Sequence, residues 1–202
     1  MFLQLLSPQD KSDFLPIAEL IILCDKPILW DGKKIEKTTS QTNFKNVSLE
    51  KNGKEITQIE ELKRERVHRV FMESKSEGVQ GKGSGFFSSF LQIEIEHELI
   101  NKIKNYPLQE VEQPAARLEI ALEVLRELLK GKKIELPSVP KLQLFELMQV
   151  ALVDGNISGI KIQLLNEFAQ HFKLENYVFT ELLERAEVTS REINKTLTII
   201  LE

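Results

Sequence analysis

The chain has 202 residues, 42% of them hydrophobic, and a formal net charge of -4. That length can bury one sizeable core, and the acidic balance argues against a protein built to coat nucleic acid, because neutralising phosphates takes clustered Lys and Arg. A single cysteine, Cys24, excludes an internal disulfide and any Cys-rich zinc finger, so a cytoplasmic protein is expected.

From the start of the chain, Ser7-Pro8 reads as a helix cap followed by proline at the first helical position. Asp13 offers a second cap that would place Pro16 in the first turn of a new segment. The apolar run "FLPIAELIILC" (14–24) is about half the roughly 20 residues a membrane span needs and contains Glu19, so a buried helix is predicted. Residues 31–54 lose helical character, and "NVSLEKNGKEITQI" (46–59) alternates around Asn52-Gly53, a hairpin signal. Helical periodicity resumes near Thr57 with Ile59, Leu62, Val67, Val70 and Phe71 on one side.

"SKSEGVQGKGSG" (74–85) holds four of the nine glycines and predicts a mobile loop. It is not a phosphate loop, because Lys82 is followed by Gly83 rather than Ser or Thr. Further helices are predicted over 86–105, 114–130, 141–153, 158–172 and 175–186, with a last one running from a Ser190 cap. The fold class is therefore mostly α. A single helical domain over 1–202 carries an inserted hairpin, helix and glycine-rich loop over 31–85. Helices 14–24 and 141–153 are apolar nearly all round and should form the central pair.

Both central helices end on an aspartate. "LIILCDKPI" and "VALVDGNI" superpose with Asp25 on Asp154 and Ile28 on Ile157, which suggests a weak internal duplication. Over 154–165 the letters partly imitate a calcium loop, with Asp154, Asn156 and Ser158 at positions one, three and five. Position twelve, which must supply a bidentate carboxylate, is Leu165, and Lys161 intrudes at position eight. The same letters also serve as punctuation: Gly155 for a left-handed turn, Asn156 for the bend and Ser158 as a cap.

The order of a central apolar helix, Asp-Gly-x-Ile-Ser, a second helix and "HFKLENYVFTELLERA" resembles the tellurite-resistance TerB family and the related N-terminal domain of a membrane-anchored DnaJ-like co-chaperone. The likeness is clearest over 141–186, faint over 1–30 and absent from 31 to 110. It implies an all-helical fold of two helix–AspGly–helix copies. It also implies a non-enzymatic binding or scaffold module in a stress-response or defence complex, with a protein partner and a membrane-associated assembly in view. A weakly held Ca²⁺ or Mg²⁺ would sit at Asp25, Asp154 and Asn156. The chain departs from the family pattern where an acidic residue usually follows the cap, at Lys161, and where Gly-x is usual, at Lys26-Pro27.

Two alternatives remain open at this point. Glu65…His68 and Glu94…His97 match the Glu-x-x-His pairs of di-metal carboxylate bundles, with Glu19 and Glu119 or Glu123 as the further ligands. Against that enzyme, 26 glutamates make chance pairs common, and both histidines fall on polar faces. The other alternative is an assembly protein of a phage or secretion system. Cys24 reads as a small core residue, and "LKRERVHR" (62–69) as a solvated basic face.

Overall fold

The computed structural model describes residues 3–76, 95–132 and 136–201, with the backbone alone over 65–76. It is 68% helical, with a small two-stranded antiparallel sheet. Among the described residues the helices are α1 (Pro8–Leu23), α2 (Gly53–Ser76), α3 (Ile95–Lys104), α4 (Pro114–Leu129), α5 (Ser138–Ala151), α6 (Gly159–His171) and α7 (Asn176–Leu201). Strands β1 (Ile28–Trp30) and β2 (Val47–Leu49) lie between α1 and α2. No helix among the described residues is long and apolar enough to cross a membrane.

α1 starts as its sequence predicts, with the Ser7 hydroxyl accepting from the Asp10 N–H at 3.1 Å and Pro8 in the first turn. It does not restart at Asp13. One continuous helix carries Pro16 in its interior, and Asp13 pairs instead with Lys132 at 2.6 Å. Every side chain from Phe14 to Cys24 is buried, and burial on all sides offsets the hydrogen bond that proline cannot donate. α2, α3, α4 and α5 all contact α1. α5 is its counterpart, burying Leu144, Leu147, Met148, Val150 and Ala151, so the two Asp-terminated helices form the predicted central pair. The pairing is secured near its start by Gln143 Nε2, which donates to the Asp10 carbonyl at 3.0 Å.

The hairpin exists, but its turn is elsewhere. β1 and β2 pair in the register Ile28↔Leu49, Leu29↔Ser48 and Trp30↔Val47. Directly after β1 a tight turn at Asp31-Gly32, both with positive φ (53° and 74°) as a primed turn requires, pairs Trp30 with Lys33, and the connection then runs on to β2 at Val47. Asn52-Gly53 begins α2 instead. The Asn52 side chain accepts from the Glu55 N–H at 3.0 Å, and the Glu55 carboxylate accepts from the Asn52 N–H at 2.8 Å. This reciprocal capping box satisfies two N–H groups that an isolated turn would leave to water, which is why the helix wins and starts four residues before the expected Thr57.

α6 packs on α4 and α5, and α7 docks on α5. The predicted break before Ser190 is absent. α7 is one helix of 26 residues, with Thr189 returning its hydroxyl to the Arg185 carbonyl at 2.8 Å. No glycine or proline follows Gly159 to interrupt it. α2 continues to Ser76, and the remainder of the predicted glycine-rich loop, 77–85, lies outside the described residues.

Leu20 and Leu147 have no exposed surface. Leu20→Ala and Leu147→Ala are each expected to cost about 2–5 kcal/mol as truncations in a closed core, read from urea denaturation; a loss below about 1 kcal/mol at both would place these helices at a surface.

Candidate functional site

Asp25 and Asp154 each leave a central helix at its C-terminal end, where unpaired carbonyls concentrate partial negative charge. Part of that charge is met by Arg117 of α4. Its buried guanidinium donates to the carbonyls of Cys24 at 3.0 Å and Lys26 at 2.9 Å, and burial lowers its pKa. After α5, Gly155 takes φ +86° and its N–H returns to the Leu152 carbonyl at 2.8 Å. Ser158 then caps α6, its hydroxyl accepting from the Lys161 N–H at 3.4 Å. The turn therefore follows its predicted punctuation and brings Asp154 toward Asp25.

Two lysines stand between the carboxylates. Lys26 Nζ lies 3.2 Å from Asp154 Oδ2 and 3.8 Å from Asp25 Oδ1, and it also bonds to Glu55 of the α2 capping box. Lys161 Nζ lies 3.6 Å from Asp25 Oδ2 and 3.8 Å from Asp154 Oδ2, with its side chain only 4% exposed. Three carboxylates thus surround two ammonium groups. The cluster joins the end of α1, the start of α2, the α5–α6 turn and the first turn of α6.

These contacts shift the titrating groups in opposite directions. Burial alone would pull the Lys26 pKa down, but the bond to Glu55 and the charges of Asp25 and Asp154 raise it above its ordinary value. Burial alone would push Asp154 up, yet the bond to Lys26, its charge and that of Lys161 hold it below the usual aspartate value. Cys24, next to the cluster, is pushed up to about 12 by burial and then by Asp25. Its thiol donates to the Ile21 carbonyl at 3.5 Å, so it is a core residue at neutral pH.

Ca²⁺ would need six or more oxygens at about 2.3–2.6 Å and Mg²⁺ six at about 2.0–2.1 Å, but the Lys26 and Lys161 ammonium groups hold the space between Asp25 and Asp154. As it stands, the donor set fits two lysines and not a dication. The third predicted ligand, Asn156, is exposed and lines a separate cleft of about 310 Å³ between the α5–α6 turn and Glu187, Arg191 and Asn194 of α7. Among the described residues no group of three or more His, Cys, Asp or Glu is placed to hold a metal.

The components of the di-metal alternative are dispersed where they can be seen. Glu19 is buried in α1, with Lys63 at 3.6 Å. Glu123 pairs with Lys102 at 3.2 Å on the surface, and Glu119 and His97 are exposed. The side chains of Glu65 and His68, and all of Glu94, lie outside the described residues. Four members of the observed cluster were not among the predicted site residues: Lys26 and Lys161, met in the sequence only as departures from the family pattern, and Glu55 and Arg117. Glu55 carried a signal, the Asn52-x-x-Glu55 capping spacing, whereas nothing local in sequence marks Arg117.

The class defined by this geometry is a mostly helical protein whose two central helix ends are closed by an internally matched charge cluster. No protein-family model, curated protein or solved structure matches the chain.

Because the Asp154 pKa is lowered on folding, its contribution to stability is present above the ordinary aspartate value of 3.8 and is lost as pH falls through the folded-state value. Lys26, raised above 10.5, contributes below that value and loses its contribution as pH rises through its own raised pKa. The difference in melting temperature between wild type and Asp154→Asn should therefore be flat from about pH 5 to about pH 9 and narrow below about pH 4. A difference that instead grows on acidification would show that the Asp154 carboxylate is not held by the lysines.

Proposed function

We propose that this chain is a non-enzymatic, TerB-like binding module that acts as a scaffold within a stress-response or defence complex, and that its contact element is the distal half of α7. The carrying observation is an apolar stripe that outruns its cover. Phe179, Leu183 and Ala186 recur at four and three residues and pack on the core, and Gln149 of α5 donates to the Ala186 carbonyl at 3.1 Å. The same alternation continues through Ser190 to Ile193, Leu197 and Ile200, the spacing of a helix–helix seam. Every residue from Arg191 to Leu201 is exposed, including Leu197 at 47% and Ile200 at 70%. An apolar stripe interrupted at Ser190, on a regular helix, suits a groove on a protein partner, read at helical spacing.

A photo-crosslinking amino acid at Leu197, in chain expressed in its native cell, should yield a discrete protein adduct. The same group at exposed Lys141 of α5 should not, and Ile193→Glu should abolish the adduct. Equal labelling from both positions would remove the distal half of α7 from the reading.

A divalent cation enters this reading only as a competitor of Lys26 and Lys161. In calorimetric titrations wild type should bind Ca²⁺ or Mg²⁺ no tighter than about 10⁻⁴ M, the weak end for oxygen-ligand calcium sites. Lys26→Met with Lys161→Met, which frees the Asp25, Asp154 and Glu55 carboxylates, should tighten Ca²⁺ binding by about tenfold or more. Unchanged binding in the double variant would rule out competition at these carboxylates.

A further inference from the structure

The hairpin between α1 and α2 forms one wall of a groove far from the charge cluster in composition. Trp30 of β1 and Phe44 of the β1–β2 connection meet with ring centroids 5.8 Å apart and planes tilted by 56°. Opposite them are Ile103, at the end of α3, and Tyr106 and Leu108 of the turn that follows. The space enclosed is about 560 Å³, within the range of small-molecule sites, roughly 300–1,000 Å³. Trp30 and Ile103 are buried beneath the groove, and the apolar surface open to an occupant is that of Phe44 and Leu108, 37% and 40% exposed.

The polar ends of the rings face groups outside the groove. Trp30 Nε1 donates to Glu112 Oε1 at 3.3 Å, and burial and then the nearby Glu119 raise the Tyr106 pKa; neither glutamate lines the space. What the lining leaves unmatched is positive charge. Lys45 and Lys104 both line the groove, both are exposed, and neither ammonium makes a hydrogen bond or ion pair with a described residue. Lys102, two residues before Lys104 on α3, is by contrast held by Glu123 and Glu127 at 3.2 and 2.9 Å.

From the exposed Phe44 and Leu108, the volume and the two unmatched ammonium groups, we infer that this groove binds a small aromatic anion: a flat apolar body against Phe44 and Leu108, over a floor that includes the buried Trp30, with a carboxylate, sulfonate or similar group between Lys45 and Lys104. Phe44 and Leu108 supply dispersion and stacking area. The lysines supply orientation and select charge, because an anion there gains two partners that a neutral analogue cannot use. The site lies apart from the α7 stripe and does not depend on it.

Trp30 is the only tryptophan, so the spectrum carries a single indole N–H resonance, from a side chain at the floor of the groove. Titrating naphthalene-1-sulfonate into the full-length ¹⁵N-labelled chain should move that resonance saturably, with a dissociation constant of about 1 mM or tighter. Neutral naphthalene-1-methanol and the aliphatic carboxylate decanoate should each bind at least about tenfold more weakly. Lys45→Met with Lys104→Met, at two exposed positions without ionic partners, should weaken the sulfonate by about tenfold and leave the neutral compound unchanged. The inference is overturned if the sulfonate gives no saturable shift, if either comparison compound binds as tightly, or if the double variant retains full affinity. Unchanged circular dichroism of the variant ensures that a loss reports binding and not folding.

Discussion

A helix buried on every side must be surrounded, and α1 sets that requirement for the whole molecule. From Phe14 to Cys24 every side chain is buried, so α2, α3, α4 and α5 are arranged as its cover. Such a helix cannot lie on a surface without exposing a large apolar area. Its one acidic residue within that stretch, Glu19, has Lys63 of α2 nearby, which lets a carboxylate sit in an otherwise apolar wall. α5 meets the same requirement from the other side, and one continuous core results.

The ends of these two helices raise a second problem, which is electrostatic. Each delivers carbonyl partial charges and an aspartate to the same small region, and like charges held close in a partly buried site repel. The chain answers with cations of its own: Arg117 on the carbonyls, and Lys26 and Lys161 among the carboxylates. Lys26 and Lys161 are also the two places where the chain departs from the pattern that the Asp-Gly turn otherwise resembles. Ammonium groups fixed by covalent connection need no ion from solution, so the joint between α1, α2 and α6 closes on folding. Removing one partner of such a cluster would leave an uncompensated charge in a partly buried place, so the cluster acts as a unit.

With the core and the joint closed, the surfaces free for binding are those the core does not use. The distal half of α7 carries the seam of its own packed half into solvent, and the hairpin presents the Phe44 ring across from the end of α3. Both features come from segments that the apolar periodicity treats as peripheral. The inserted hairpin thereby acquires a structural role, because Ile28, Trp30, Val47 and Leu49 join the core while Phe44 and Lys45 face the groove.

What the sequence determined by itself were the features governed by local physics. Helical periodicity marked the buried pair, and Ser7, Gly155 and Ser158 marked the cap of α1 and the turn from α5 into α6, because a cap hydrogen bond or a positive φ involves residues a few positions apart. The competition at Asn52-Gly53 was also local, but two signals overlapped there: a turn dipeptide and a capping box. The box prevailed because Glu55 both completes the cap and is drawn toward Lys26, a partner that only folding supplies. β1, three residues long, is too short to show alternation, and the tight turn at Asp31-Gly32 pairs Trp30 with Lys33 without leading directly into β2. Only the tertiary structure decided that Asp25 and Asp154 would meet lysines. The Lys26–Asp154 bond spans 128 positions, and the direction of a side chain across such a separation follows from how α1, α2, α5 and α6 pack, which no local pattern encodes.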